Sequence, residues 1–138
     1  MRHLDPPDVL PPDTAPDDPR VGALLGAAVD DPQEARAVLI GFPSDAGVRI
    51  NGGRPGAADG PTALRRALYA MTPDARCYGA FTDLLRHTVD LGDLKMKGAL
   101  AANQRRLGEV LAPHLERGAV PIVLGGGHET AFAHFLGY

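Results

Sequence analysis

The sequence contains one cysteine, Cys77, among its 138 residues, so no disulfide can form within the chain. Because disulfide frameworks are typical of secreted proteins, a single cysteine favours a reducing compartment. The start of the chain lacks the apolar segment of a signal peptide, and no apolar run elsewhere approaches the length of a membrane span. We therefore expect a cytoplasmic protein that does not cross a membrane.

Basic residues are slightly fewer than acidic residues. The chain has 14 lysine and arginine residues against 17 aspartate and glutamate residues, which gives a net charge of −3 at pH 7. This balance argues against nucleic acid or an anionic membrane as the main partner. The hydrophobic share of 44% and the charged share of 22% are typical of a globular protein, and the length suffices for one small domain.

Proline is unevenly distributed. The first 20 residues hold six prolines and five aspartates. Proline fixes φ and removes backbone donors, so neither helix nor strand is expected there. We predict that residues 1–20 form a disordered, extended arm and that residues 21–138 form the folded domain. An alternative is that the arm drapes over a neighbouring subunit.

Beyond the arm, strand-like and helix-like stretches alternate. The apolar stretches 35–43 and 119–127 predict buried strands of a parallel sheet, and 87–93 predicts another strand. Helices are predicted at 60–71, at 98–118 and from 128 onward, a weak helix or turn at 21–34, and a long glycine-rich loop at 44–60. This order indicates an α/β fold with an open sheet and right-handed crossovers.

The predicted helix at 60–71 has one apolar stripe. Leu64, Leu68 and Met71 are spaced at i, i+4 and i+7. The stripe predicts the face that packs on the sheet. It leaves Arg65 and Arg66 on a solvated face.

The most informative motif is VPIVLGGGHETAF at 120–132, in which three glycines separate an apolar strand from a histidine and a glutamate. Ligands of open α/β sheets bind beyond the carboxyl ends of the strands, and glycine lets backbone or ligand come close there. We therefore expect His128 to project into a crevice as a metal ligand or a base. The alternative is a turn histidine bonded to backbone. Glu129 is expected in the first helical turn, where the helix dipole favours negative charge.

Several well-known motifs do not fit this stretch. A dinucleotide fingerprint needs glycine where Thr130 stands, and a zincin H-E-x-x-H needs histidine where Phe132 stands. A P-loop needs a lysine that is not there, and a hydrolase nucleophile elbow needs serine in place of His128.

Three stretches in this order resemble the ureohydrolase family, which includes arginase, agmatinase and formimidoylglutamase. GGGHE resembles the first metal-binding motif of the family, GFPSDAGVRINGGRPGAADGPTALR resembles its first strand, loop and helix, and VDLGDL resembles its second strand end. The resemblance covers roughly residues 38–138 and is closest to the N-terminal part of the formimidoylglutamase branch.

The resemblance implies a three-layer α/β/α fold with a mainly parallel sheet, and a centre of two manganese ions whose bridging hydroxide attacks an amidine or guanidine carbon. The formimidoylglutamase branch cleaves the C–N bond of formimidoylglutamate, an amidine, to glutamate and formamide in histidine degradation. By this match His128 is the one metal ligand present in the chain. Alternatives are an agmatinase- or arginase-type hydrolase, or a non-catalytic interaction module.

Two family motifs are absent from the 138 residues. Neither Asp-Ala-His-x-Asp nor the later Asp-x-Asp occurs, and the nearest string, DARC at Asp74, lacks the histidine. We therefore expect the chain alone to be inactive. We also expect it to associate with itself or with a complementary C-terminal fragment.

The glycine-rich loop carries Arg49, Asn51 and Arg54, the candidate substrate-binding residues. Arginine pairs with carboxylates through two parallel hydrogen bonds, and formimidoylglutamate has two carboxylates where arginine has one and agmatine none. The alternative is that the arginines pair with acidic residues and only hold the loop. Asp90 and Asp93 are candidates for acceptors near the crevice, or for turn and cap roles.

Overall fold

A computed structural model of the chain describes residues 3–138. It contains the strands β1 Leu4–Asp5, β2 Ala37–Phe42, β3 Thr88–Leu94 and β4 Val120–Gly125, which form one sheet in the order β1-β3-β2-β4. β2 runs parallel to both β3 and β4, whereas β1 runs antiparallel to β3. The sheet is mixed but mainly parallel, which confirms the predicted fold class.

Six helices occur in the part of the chain that the structure describes. They are α1 Val21–Leu24, α2 Ala46–Ile50, α3 Gly60–Ala70, α4 Tyr78–Arg86, α5 Leu100–Glu116 and α6 Glu129–Phe135, and short 3₁₀ turns occupy Pro32–Glu34, Ala57–Asp59 and Ala75–Cys77. Within residues 3–138, no helix combines the length and the apolar character needed to cross a membrane.

Helices cover both faces of the sheet. On one face, Ile40 and Phe42 of β2 form a fully buried cluster with Leu107 and Leu111 of α5 and with Ala133 of α6. The side chains of successive strand residues point to opposite faces of the sheet. The odd-numbered residues of β2 therefore face away from the cluster that contains Ile40. α3 covers that second face, where Pro61 lies close to the backbone of Gly41. The layers are therefore α/β/α, as the resemblance implies.

Two helical segments were not expected from the sequence. The stretch 44–60, predicted as loop, contains α2 and a 3₁₀ turn, and α4 lies between the predicted helix at 60–71 and the predicted strand at 87–93, where the sequence has no clear period. α2 is a single turn, in which the Arg49 N–H donates to the Asp45 carbonyl oxygen at 3.0 Å. One turn is too short to show an apolar period, so pattern reasoning missed it.

The buried face of α3 differs from the predicted stripe. Leu64 is 49% exposed and Met71 is 56% exposed, while Arg65 and Tyr69 are buried. The prediction that Arg65 lies on a solvated face is wrong, because carboxylates on β3 lie opposite it. Arg66 is exposed, as predicted.

The N-terminal arm contains a short strand. Leu4 and Asp5 form β1, and the Lys95 N–H donates to the His3 carbonyl oxygen at 2.8 Å. The expectation of no strand in the arm is wrong here, because β1 lies ahead of the first proline and still has its backbone donors. Further along, the Thr62 hydroxyl donates to the Asp8 carboxylate at 2.8 Å. The mobility of the arm and the boundary at residue 20 stay predictions.

Candidate functional site

The carboxyl ends of β2 and β4 border an open cleft. β4 ends at Gly125, and His128 stands immediately before α6, exposed to solvent. The cleft is lined by Gly47, Val48, Asn51, Gly53, His128 and Glu129. His128 therefore lies at the end of a parallel strand and faces the cleft, not the apolar core.

The glycine run is required by close approach between two turns. A Cβ atom on Gly126 would lie 1.9 Å from the carbonyl oxygen of Ser44, and one on Gly127 would lie 2.0 Å from Oε2 of Glu129. The Gly127 N–H donates to that Ser44 carbonyl at 2.8 Å, and the Gly126 N–H donates to the Phe42 carbonyl at 3.1 Å. A side chain at Gly126 would overlap the backbone of Ser44, and one at Gly127 would overlap the side chains of Glu129 and Val48.

Glu129 joins the same two turns through its carboxylate. Its Oε1 accepts hydrogen bonds from the Ser44 hydroxyl at 3.0 Å and from the Gly47 N–H at 2.9 Å. The residue does occupy the first turn of α6, as expected. It also holds the start of α2 against the His128 turn, a role that its sequence position does not reveal.

Asp45 closes the loop that follows β2. Nε and Nη2 of Arg49 donate to its two carboxylate oxygens at 2.8 and 3.2 Å, and the Gly56 N–H donates to Oδ2 at 3.0 Å. The hydrogen bonds from Arg49, and then that from Gly56, hold the pKa of Asp45 below its usual value. Arg49 therefore supports the loop through Asp45.

The other two candidate substrate-binding residues are placed differently. Asn51 lines the cleft beside His128. Arg54 is exposed on the loop and has no ion pair with any residue from 3 to 138. Neither arginine is among the residues that line the cleft, and the binding role of all three stays a prediction.

Arg65 forms a buried ion-pair network that sequence reasoning missed. Its guanidinium donates to both carboxylate oxygens of Asp90 at 2.8 and 3.0 Å, to Asp93 at 2.5 Å and to the Gly92 carbonyl at 2.9 Å. Burial alone would lower the pKa of Arg65, but the hydrogen bonds and charges of both aspartates outweigh it and raise that pKa. The Tyr69 hydroxyl also donates to Asp90 at 2.8 Å, and burial and this bond raise the pKa of Tyr69.

A bulge in β3 brings the two aspartates to one face. Asp90 lies opposite Leu39 and Asp93 lies opposite Gly41, so three steps on β3 match two steps on β2. Gly92 takes φ of +86°, which permits the bulge. Asp90 and Asp93 thus face α3 and pair with Arg65. The glycine inside a strand pattern was the sequence signal for this bulge.

The donor groups at the cleft are few. Residues 3–138 contain no group of three His, Cys, Asp or Glu side chains that could hold a metal ion. Manganese favours several carboxylate and imidazole ligands together. Here His128 offers one imidazole, and the adjacent Glu129 already accepts two hydrogen bonds. These residues do not by themselves fit a centre of two manganese ions.

Known proteins are similar to this chain in sequence and in fold. The profile of the Arginase family matches residues 35–138. The formimidoylglutamase of Chromobacterium violaceum is 48% identical over 102 residues, which cover 72% of this chain and 29% of that protein. The chain spans about 30% of the length of the curated relatives that it matches.

Solved structures show the same fold. A structure of Trypanosoma cruzi formiminoglutamase with Mn²⁺ matches with a TM-score of 0.73 and 32% identity, covering 86% of this chain and 39% of that one. Arginase from Bacillus subtilis matches with a TM-score of 0.54 and 27% identity, covering 73% of this chain and 33% of that one. Together with the profile match and the glycine–histidine turn at the end of β4, these similarities establish that the chain belongs to the arginase family.

Proposed function

We propose that this chain corresponds to the N-terminal part of a cytoplasmic hydrolase that cleaves the C–N bond of formimidoylglutamate, releasing glutamate and formamide in histidine degradation. One observation carries the proposal: His128 faces an open cleft at the carboxyl end of β4. The similarity to relatives named formimidoylglutamase supports this substrate over arginine and agmatine.

His128 is, in this proposal, one ligand of a manganese centre whose other ligands lie outside the 138 residues. Imidazole is a ligand that manganese accepts, and the solved T. cruzi relative is described with Mn²⁺. Bound manganese would polarise the reacting groups as a Lewis acid. What the chain itself supplies is a fixed imidazole and one wall of the cleft. A single imidazole holds this metal weakly, so we expect no turnover from the chain alone.

Substrate carboxylates would be bound by the loop that follows α2. Asn51 already lines the cleft, and Arg54 has a guanidinium that is free of ion pairs among residues 3–138. Arg49 already pairs with Asp45, so we propose that its role is to support this loop, and that it would meet a substrate carboxylate only if that ion pair opened. Arg54 and the Asn51 amide suit the carboxylates of a dicarboxylate substrate.

The remaining ligands would reach the cleft from a segment that packs against β4. β4 is the last strand of the sheet, and Val120 and Ile122 are 60% and 46% exposed. An edge strand with exposed apolar side chains favours pairing with another strand. Because the curated relatives are about three times longer than the matched region, we propose that their C-terminal part is the occupant.

Complementation tests this proposal. The chain would be mixed with the part of Chromobacterium violaceum formimidoylglutamase that follows the matched region, manganese added, and formamide release from formimidoylglutamate measured. We expect turnover only in the mixture. His128→Ala should remove it, while His87→Ala, on the far end of α4, should not.

Two results would speak against the proposal. Faster hydrolysis of agmatine or arginine than of formimidoylglutamate would favour the agmatinase- or arginase-type alternative. Turnover by the chain alone with manganese would show that the ligands lie within residues that we describe as structural.

A further inference from the structure

The proposed function makes no use of the Glu129 carboxylate, which is adjacent to His128 in sequence but bonds to Gly47 at the start of α2. One oxygen, Oε1, accepts from both the Ser44 hydroxyl and the Gly47 N–H. Ser44 is buried, and its hydroxyl also accepts from the Ala46 N–H at 3.3 Å. A carboxylate that serves only the helix dipole needs no such partners.

The surrounding backbone is shaped to admit this carboxylate. A Cβ atom on Gly47 would lie 2.8 Å from Oε2 of Glu129, and one on Gly127 would lie 2.0 Å from the same oxygen. Two glycines from different turns therefore leave room for one side chain. Gly47 on one side of the cleft and Gly127 on the other both border this carboxylate.

Glu129 contacts the segment 45–56, whose own side-chain hydrogen bonds are internal to the segment. Asp45 accepts from Arg49 and from the Gly56 N–H, so these contacts join the two ends of residues 45–56 to each other. Among residues 3–138, the side chain outside this loop that bonds to α2 from across the cleft is Glu129. Loss of that bond would remove the side-chain hydrogen bond that ties residues 45–56 to the α6 side of the cleft.

We propose that Glu129 is a positioning residue whose carboxylate holds α2 and the following loop, and with them Asn51, at a fixed distance from His128. The importance of this distance for substrate rests on the function proposed above. The clamp itself, meaning the hydrogen bonds from Glu129 to Ser44 and Gly47, does not depend on that function.

Three substitutions separate the clamp from a charge effect at the start of α6. Glu129→Gln keeps the length and one acceptor oxygen but loses the charge. Glu129→Asp keeps the charge but is one methylene shorter, so its oxygen cannot reach both donors. Glu129→Ala loses charge and acceptor. Glu109→Ala is the matched control, because Glu109 is exposed on α5.

The readout is amide hydrogen exchange of the intact 138-residue chain, followed by NMR at Gly47 and across residues 45–56. The wild-type Gly47 N–H should be protected. Loss of its bond should speed exchange about tenfold in the Asp and Ala variants, the factor that corresponds to ~1.4 kcal/mol. The Gln variant and the Glu109→Ala control should stay within about threefold of wild type, and amides of β2 should be unchanged in all of them.

Several results would overturn the clamp: no protection of Gly47 in the wild type, equal exchange in all variants, or rescue by Asp but not by Gln. The last pattern would assign Glu129 to the helix dipole. Should the Ala variant fail to fold, the comparison of Gln with Asp still decides. No metal or substrate enters the experiment, so failure of the proposed function would leave its result intact.

Discussion

Arg65 is a fully buried charge whose neighbours compensate it. The side chain is 0% exposed and donates to two aspartates. Removing one partner of a buried ion pair leaves the other charge without compensation, which typically costs about 3–5 kcal/mol. We therefore expect Arg65→Ala to lower the free energy of unfolding by about that amount in urea denaturation.

The next residue provides the control. Arg66 lies on the same helix and is exposed, so Arg66→Ala should change the free energy of unfolding by no more than about 0.5 kcal/mol. Similar losses for the two variants would contradict the buried network.

His114 makes a pH-dependent contribution to stability. It is buried on α5, and burial, followed by the charge of Arg117, lowers its pKa below the ordinary 6.5 while Asp31 opposes the shift. The unfolded chain therefore binds this proton at a higher pH than the folded chain does. Stability is fully present above about pH 6.5 and falls as the pH drops toward the lowered folded pKa.

The measurement is urea denaturation from pH 7.5 to 5.5. His114→Gln should flatten the profile relative to wild type, because the group whose pKa burial lowers is then gone. A wild-type profile that His114→Gln leaves unchanged would show that another group titrates.

Sequence reasoning succeeded for residues whose local pattern defines their place and failed for those defined by long-range partners. His128 follows an apolar strand and a glycine run, and this local pattern predicts its place in the cleft. The partners of Arg65 lie 25 and 28 residues away on β3, so the helical period of α3 cannot reveal them. The same holds for Glu129 and Ser44, which are 85 residues apart.

At the scale of elements, the bulge in β3 is the feature that aligns the two aspartates. Gly92 has φ of +86°, and a Cβ atom there would lie 1.9 Å from the Asp5 carbonyl oxygen of β1. Gly92→Ala should therefore be destabilising by about 1–3 kcal/mol, through backbone strain and loss of pairing with β1. Thermal unfolding measures the change.

Gly79 is the matched glycine on α4. No atom would contact a Cβ added there, and its φ is ordinary, so Gly79→Ala should leave stability unchanged or raise it by up to about 1 kcal/mol. If Gly92→Ala behaved in the same way, the bulge would not need glycine.

The long elements were predictable because each has its own pattern. The apolar runs of β2 and β4 and the length of α5 are properties of contiguous sequence. α2 is one turn whose Gly47 N–H bonds to Glu129, and β1 consists of two residues paired with a strand far along the chain. The contacts that place α2 and β1 come from distant parts of the chain, so the residues of these two elements do not predict them.

At the scale of the whole molecule, the sheet ends at β4 with apolar side chains uncovered. Val120 and Ile122 lie beside Ala37 and Leu39 of β2 and are exposed. Such an edge favours association, so we expect the isolated chain to self-associate at high concentration in sedimentation experiments. Ile122→Lys should shift the chain toward monomer. Leu64→Lys, at an exposed apolar residue of α3, should not.

The central claim, that His128 is the metal-binding histidine of this chain, has a direct test. Paramagnetic Mn²⁺ broadens the NMR signals of nuclei close to it, and it does so even when binding is weak. On titration with Mn²⁺, the ring signals of His128 should broaden before those of His87 and His114, together with amides of the cleft residues Gly47 and Asn51. His128→Ala should abolish the broadening of these amides. Broadening that begins at other residues and leaves His128 sharp would contradict the account.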